Sequence, residues 1–528
     1  MRNASGVTAS ALPAVAAVLL LMTAAAAKAA DCRSLIGKKF GEAVIIEVNE
    51  VTPPFAVTGM AGSPVAVNSP FCRARGVITP TRDSNIGFEL WLPPAAAWNG
   101  KYQGTGNGGF GGSLTYAHMD NALGAGYAVS GTDTGHIDLM GSSRTSAWAL
   151  GQPEKQVDYG WRAIHETAVA SKAIIAAYYD RTPSRSYFVG CSSGGRQALV
   201  EAKRFPREYD GMVVGAPGHL NALLLSNNLG LVRAVGAASP SGLAPAKLAA
   251  LNKAALAACP SSESVIDDPS QCKFDPAALA CKPGESGSCL EPAELAAVQR
   301  IYGGLRDKNG RTVLPGYTPG SELQWTWAPG SRLDDLVKGY FRHMVTGDLA
   351  WDGHGIEPLD AHALARANAV QYTDLEDPDL GEFQRAGGKI IQYHGWSDAS
   401  IPTGTSISMY ESQASRFGGI ERTQSFYRLF LAPGMGHCRG GSGPFAVGGN
   451  SERAPRQDPE HDVVAALDRW VETGQAPERI TATRYRDNDP RQEVTAQRPW
   501  CVYPAVARYV GEGKRTDASS YRCVAPGG

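Results

Sequence analysis

Between residues 43 and 93, apolar and polar side chains alternate in VIIEV, CRARGVITP and IGFELWLP, each bounded by turn-forming residues. A period of two predicts strands. KYQGTGNGGFGGS breaks that rhythm and predicts a glycine-rich loop, and AGYAVSGTDTG a buried strand ending at a loop. Over residues 159–180, Ile164, Ala168, Ser171, Ile175 and Tyr178 share one stripe, which predicts a helix. SRSYFVG then predicts a strand, RQALVEAKRFP a helix that stops before Pro206, and DGMVVGAPG a short buried strand. Alternating β and α elements imply an α/β fold, a mainly parallel sheet covered by helices. After about residue 220 the pattern changes to alanine-rich helices, cysteine-framed loops and the tryptophan-bearing SELQWTWAPG and GDLAWDGHG. GGKIIQYHGWSD and SFYRLFLAPGMGHCRG restore strands ending in polar loops. The organisation expected is a core in two parts, 30–219 and 386–528, interrupted by an insertion over 220–385.

The N-terminal segment has a different pattern. Arg2 precedes an apolar run from about Ala11 to Ala27, and Ala27-Lys28-Ala29 has the small-residue form of a signal-peptidase site. Its most apolar part, Leu12 to Met22, is short for a bilayer span. Residues 1–29 are therefore expected to be a signal peptide, and the mature protein exported, to periplasm or medium. Among 528 residues, 50 are basic and 51 acidic, a formal net charge of -1. No strong field would draw nucleic acid or an anionic membrane surface. Export changes the reading of the ten cysteines, all beyond residue 29. An even number in an oxidising compartment suggests disulfides, and no C-x-x-C pair supports zinc. Sequence order suggests Cys259–Cys272, Cys281–Cys289, Cys501–Cys523 and Cys32–Cys72, which leaves Cys191 and Cys438 for each other. Order alone does not fix connectivity, and a free, buried Cys191 thiol is the alternative.

Gly190-Cys191-Ser192-Ser193-Gly194 fits G-x-S-x-G, the strand-to-helix turn that exposes a nucleophilic serine. HGWSDASIP places Asp398 just beyond one later strand, and APGMGHCRG places His437 beyond the next. The order Ser, Asp, His is that of α/β-hydrolases. A serine hydroxyl needs a histidine to take its proton, and an aspartate to fix that imidazole's tautomer. The oxyanion needs backbone N–H donors, for which Ser193 and Gly109 are the candidates. If Cys191 and Cys438 are bridged, a Cα separation of roughly 5.5 Å plus one ~3.8 Å step on each side puts the Ser192 and His437 Cα atoms within about 13 Å. His136 is the reserve base, His394 a structural residue at a strand end, and His461 a residue of a surface helix. Phe110 and Trp351 are candidate substrate contacts, although Trp325, Trp327 and Trp351 serve equally well as internal packing of the insertion. Arg342 fits either a substrate carboxylate or a structural salt bridge. Gly104 to Gly109 also matches G-x-G-x-x-G, but no helix start follows, so a dinucleotide is not expected.

GNGGFGGS, GCSSGGRQ, VVGAPG, YFRHMV, GGKIIQYHGWSD and PGMGHC together resemble the tannase and feruloyl esterase family of α/β-hydrolases, which includes bacterial mono(2-hydroxyethyl) terephthalate hydrolase. The resemblance covers nearly the whole chain after residue 29, and the paired CS and HC dipeptides are its most specific feature. It implies an α/β-hydrolase core with a large inserted lid, Ser192 as nucleophile, Asp398 as acid, His437 as base, and the five cysteine pairs above. It also implies a small-molecule substrate: an ester of an aromatic acid such as gallate, a ferulate-like cinnamate or a terephthalate monoester. Two rivals are a non-catalytic hydrolase-like binding protein and a peptidase or acyltransferase using the same triad. One departure concerns calcium. Lids of this family carry aspartates spaced D-x-x-D-G with a further D-G, whereas CPSSESVIDDPSQC is shortened. Glu263, Asp267 and Asp268 offer too few oxygens for a cation that takes six to eight, so no metal and no cofactor are expected.

Overall fold

The computed structural model describes residues 30–58, 64–137, 145–262, 264–449 and 451–526, together with Met1 and Gly6. The expected signal peptide and Glu263 lie outside the described residues.

A ten-stranded sheet organises the chain. Its strands are β1 (Lys39–Phe40), β2 (Ala43–Val51), β3 (Phe71–Ile78), β4 (Ile86–Leu92), β5 (Lys101–Thr105), β6 (Ala128–Thr132), β7 (Arg185–Cys191), β8 (Gly211–Gly215), β9 (Lys389–Gly395) and β10 (Tyr427–Ala432). The spatial order is β1-β2-β3-β4-β6-β5-β7-β8-β9-β10. From β6 to β10 every neighbouring pair is parallel. The alternating N-terminal segments form the antiparallel end, β1 to β4, which joins the rest through an antiparallel β4–β6 pair.

The helices that matter for the site are α1 (Tyr116–Gly124), α2 (Ala163–Tyr179), α3 (Ser193–Arg204), α4 (Asn221–Ala238), α5 (Arg332–Tyr340), α6 (Thr403–Phe417) and α7 (Val463–Thr473). Of these, α2, α3 and α6 cover one face of the sheet and α1 and α7 the other. On β8, Met212 and Val214 enter a core shared with α2, α3 and α6, whereas Val213 enters one shared with α1 and α7. Alternate residues serve opposite faces, and because both faces are buried the strand is apolar throughout.

KYQGT, expected as part of a loop, is instead the central strand β5, parallel to both β6 and β7. Glycine and polar residues hid it. Gln103 and Thr105 are buried there, and Thr105 Oγ1 donates to the Ser130 carbonyl (2.9 Å). His461, expected on a surface helix, is also corrected. It lies in the turn before α7, 4% exposed, hydrogen-bonded to Asp458 (2.8 Å). Asp462 caps α7 with bonds from the Val464 and Ala465 N–H groups, which starts the helix only after His461.

Among the described residues between β8 and β9, none contributes a strand to the large sheet. Its own apolar clusters involve α4 and α5, with Trp325 and Trp327 buried in one of them. All ten cysteines are paired: Cys32–Cys72, Cys191–Cys438, Cys259–Cys272, Cys281–Cys289 and Cys501–Cys523. Among the described residues, no helix is long and apolar enough to cross a membrane.

Candidate active site

Strand β7 runs into α3 through a sharp turn at Ser192, whose backbone takes φ 61° and ψ -121°. That conformation is costly for a non-glycine residue and lifts the side chain clear of both elements. The flanking glycines make the turn possible. A Cβ on Gly190 would sit 2.3 Å from the Gly194 carbonyl oxygen, and one on Gly194 would sit 2.9 Å from that of Asn107.

Two loops beyond neighbouring strands complete the constellation. Asp398 follows β9 and His437 follows β10. Ser192 Oγ donates to His437 Nε2 (3.0 Å), and His437 Nδ1 donates to Asp398 Oδ2 (2.7 Å). The other carboxylate oxygen accepts from the N–H groups of Ser400 (2.7 Å) and Ile401 (2.9 Å). Burial pushes the Asp398 carboxyl up, but the His437 charge and the bonds from His394 and His437 outweigh it and hold the group well below the usual carboxylate range. For His437, burial pushes downward and Asp398 more than compensates, so its pKa is raised, with Arg332 opposing. The arrangement presents an ionised carboxylate, a correctly oriented imidazole and a hydroxyl whose proton that imidazole can take.

The glycine-rich loop after β5 is braced onto the same helix. The Asn107 N–H donates to Gln197 Oε1 on α3 (3.0 Å), while Asn107 Nδ2 donates to the Ser113 and Thr132 carbonyls (both 2.8 Å). Ser193 Oγ (2.6 Å) and Tyr159 Oη (3.1 Å) both donate to the Gly109 carbonyl, fixing that peptide beside Ser192. Ser193 opens α3, so its N–H precedes the intrahelical ladder. Gly109, Ser193 and Phe110 all line the cleft that holds Ser192 and His437, a space of about 750 Å³.

Other expected residues lie elsewhere. Trp351 is not in the cleft lining; it stacks on Phe341 (centroids 4.5 Å apart), and its carbonyl accepts from Arg342 Nε (2.6 Å). Arg342 likewise does not line the cleft, where a substrate carboxylate would have to sit. Trp325 and Trp327 pack the insertion. His136 stacks on Trp148 and bonds the Phe110 carbonyl (2.9 Å), supporting the glycine loop instead of reaching the serine. The glycine run leads into loop, with α1 starting only at Tyr116.

Several contributors escaped sequence reasoning. His394 Nε2 lies 3.1 Å from the same Asp398 oxygen that His437 engages. Behind it, His394 Nδ1 meets Ser406 Oγ (2.7 Å), and Ser406 meets Gln392 Nε2 (2.6 Å). The H-G-W-S-D spacing was the available signal, but it showed only that the two were near in sequence. Arg332 and Arg439 line the cleft as well, with nothing in their local sequence to mark them. In the Cys259–Cys272 segment, Asp267 engages Arg498 and Asp268 accepts from the Ser270 N–H (3.1 Å). Among the described residues, His362, Asp374 and Glu376 form a group of metal-ligating type. Glu376 pairs there with Arg366 (2.5 Å) and Asp374 Oδ1 accepts from the Ala222 N–H (2.8 Å).

A family model described as tannase and feruloyl esterase matches residues 72–524. The chain belongs to the tannase and feruloyl esterase family. It is 35% identical to an uncharacterized esterase of Xanthomonas campestris pv. campestris, over 97% of this chain and 94% of that protein. It is 31% identical to a probable feruloyl esterase B-2 of Aspergillus terreus, over 87% of each. Among solved structures, feruloyl esterase B from Aspergillus oryzae is 29% identical with a TM-score of 0.84, covering 92% of this chain and 98% of that one. Tannin acyl hydrolase from Aspergillus niger, at 22% identity and a TM-score of 0.72 over 93% and 94%, shares the fold. This member of the family is an α/β-hydrolase and a carboxylic ester hydrolase.

Proposed function

We propose that this esterase is exported and cleaves esters of aromatic acids through an acyl-enzyme on Ser192. The continuous run Ser192–His437–Asp398 inside the cleft carries the reading. His437 takes the hydroxyl proton as Ser192 Oγ bonds the ester carbonyl carbon, and the resulting oxyanion faces the N–H groups of Gly109 and Ser193. The carbonyl re-forms as the C–O bond to the alcohol breaks, and the alcohol leaves with the proton from His437. Water then loses a proton to His437 as it attacks the acyl carbon, and the bond from that carbon to Ser192 Oγ breaks as Oγ takes the proton from His437, releasing the acid and free Ser192.

The aromatic preference draws on relatives named feruloyl esterase and on an apolar cleft wall of Phe110, Leu114, Leu224, Leu333, Leu336 and Ile401. Residues 220–385 act as the lid, since α4 and α5 supply part of that wall. Export is supported by five disulfides and by the N-terminal pattern. The Cys259–Cys272 segment needs no calcium in this reading, because Asp267 and Asp268 are already engaged.

Hydrolysis of methyl gallate, methyl ferulate, chlorogenate and a terephthalate monoester tests the substrate class. Turnover of at least one, abolished by Ser192→Ala, is the expected result. Folded wild-type protein that cleaves none of them overturns it.

A further inference from the structure

Helix α4 lays Asn221, Leu224, Leu225 and Asn228 along the cleft, at i, i+3, i+4 and i+7. The stripe is apolar in the middle and polar at both ends. Asn221 follows the Gly218 turn, whose N–H donates to the Ser192 carbonyl (3.0 Å). Asn228 stands seven residues further on, about 10 Å along the helix axis. It is 1% exposed.

The orientation of its amide is fixed by its neighbours. The Trp327 indole Nε1–H can only donate, and it lies 3.3 Å from Asn228 Oδ1, with Tyr317 Oη at 3.3 Å on the same oxygen. That leaves the Nδ2 branch as the uncommitted polar group of a residue that lines the cleft. That NH₂ group is buried and has no hydrogen-bond partner among the described residues. Leaving a buried donor unmade is expensive, so at the cleft wall it calls for a partner from outside the protein, a ligand atom or an ordered water.

We propose that Asn228 is a specificity-determining residue that donates from Nδ2 to an uncharged hydroxyl or ether oxygen of the ester substrate, two helical turns along the cleft from Asn221. The inference rests on the ester-hydrolase reading above. The oxygen belongs either to the ring of the acyl group or to the alcohol, and Nδ2 reads the same chemistry in both.

Two pairs of esters separate these sources: methyl para-coumarate against methyl cinnamate, and hydroxyethyl benzoate against propyl benzoate. For each pair the ratio of kcat/KM is measured in the wild type, in Asn228→Leu and in Asn228→Asp. The aspartate keeps an acceptor for Trp327 and Tyr317 but replaces the donor with a second acceptor. Each ratio is internal to one sample, so loss of folded enzyme cancels. In one pair, the wild-type preference for the oxygenated ester should fall by at least about tenfold in both variants. That pair identifies the source of the oxygen. Ratios unchanged in both pairs, with the plain esters still cleaved, overturn the role of Asn228 alone. A wild type that cleaves none of the four overturns this proposal together with the ester reading beneath it.

Discussion

Cys191 and Cys438 are joined by a disulfide, their Cα atoms 6.1 Å apart, so the residue before Ser192 is bound to the residue after His437. The bridge spans 247 positions and fastens the end of β7 to the loop after β10 at the point where hydroxyl meets imidazole. Closing so long a loop restricts the unfolded chain. Replacing both cysteines by alanine should lower stability by about 2–5 kcal/mol. It should also reduce kcat more than it raises KM, because the Ser192–His437 distance is no longer enforced. Thermal unfolding and steady-state kinetics of the double variant check this, and an unchanged midpoint with unchanged kcat would argue that the bridge is ornamental.

Asp398 holds two histidines on one oxygen, and their loss should be felt differently. Asp398→Asn presents a donor to His437 Nδ1 and favours the wrong tautomer, for a loss in kcat of about ten-thousand-fold. His394→Ala removes one hydrogen bond to a charged group, an effect of about ten- to a hundredfold on kcat with little change in KM. A loss confined to KM would place His394 at the substrate instead.

The pH profile has a defined sign. His437 must be neutral to accept the Ser192 proton, and its pKa is raised above the ordinary 6.5. kcat/KM should therefore fall as pH drops through a value above 6.5. The Arg332 charge opposes that rise, so Arg332→Gln should move the acid limb to higher pH. An acid limb below 6.5, or one displaced downward by the substitution, would contradict the assignment of His437. Asp398 is held below its ordinary 3.8, so the stability it contributes is complete above that value and is lost as pH falls through its folded one.

Ser193 has a backbone N–H that replacement by alanine leaves in place, while its hydroxyl grips the Gly109 carbonyl. Ser193→Ala should leave Ser192 reactive but loosen the glycine loop, lowering kcat by roughly tenfold. Single-turnover acylation with an activated aromatic ester measures the step directly, and an unchanged rate would mean that Tyr159 suffices to hold the loop.

How much of this was legible in the chain depends on how local the signal is. Gly190 to Gly194 announces its turn because glycine is required at two close backbone approaches. Asp398 and His437 are marked by their place just beyond apolar strands, and Cys191 and Cys438 by adjacency to them. The family resemblance extended that reading to the ester chemistry. Strand β5 was hidden because it buries the polar Gln103 and Thr105, the latter bonded to the Ser130 carbonyl, where sequence rhythm expects apolar residues. Trp351 looked like a ligand contact because tryptophan suits both aromatic substrates and aromatic packing, and only the Phe341 stack separates them. Asn228 gave no signal, since its meaning arises from how α4 meets Trp327, nearly a hundred residues away (Oδ1 to Nε1, |i−j| of 99).

The nucleophile itself is the claim from which the rest descends. Treatment with a fluorophosphonate, followed by peptide mass spectrometry, should show one adduct on Ser192, with loss of ester hydrolysis in step with labelling and neither labelling nor turnover in Ser192→Ala. An adduct on another residue, or hydrolysis that persists in Ser192→Ala, would contradict the account.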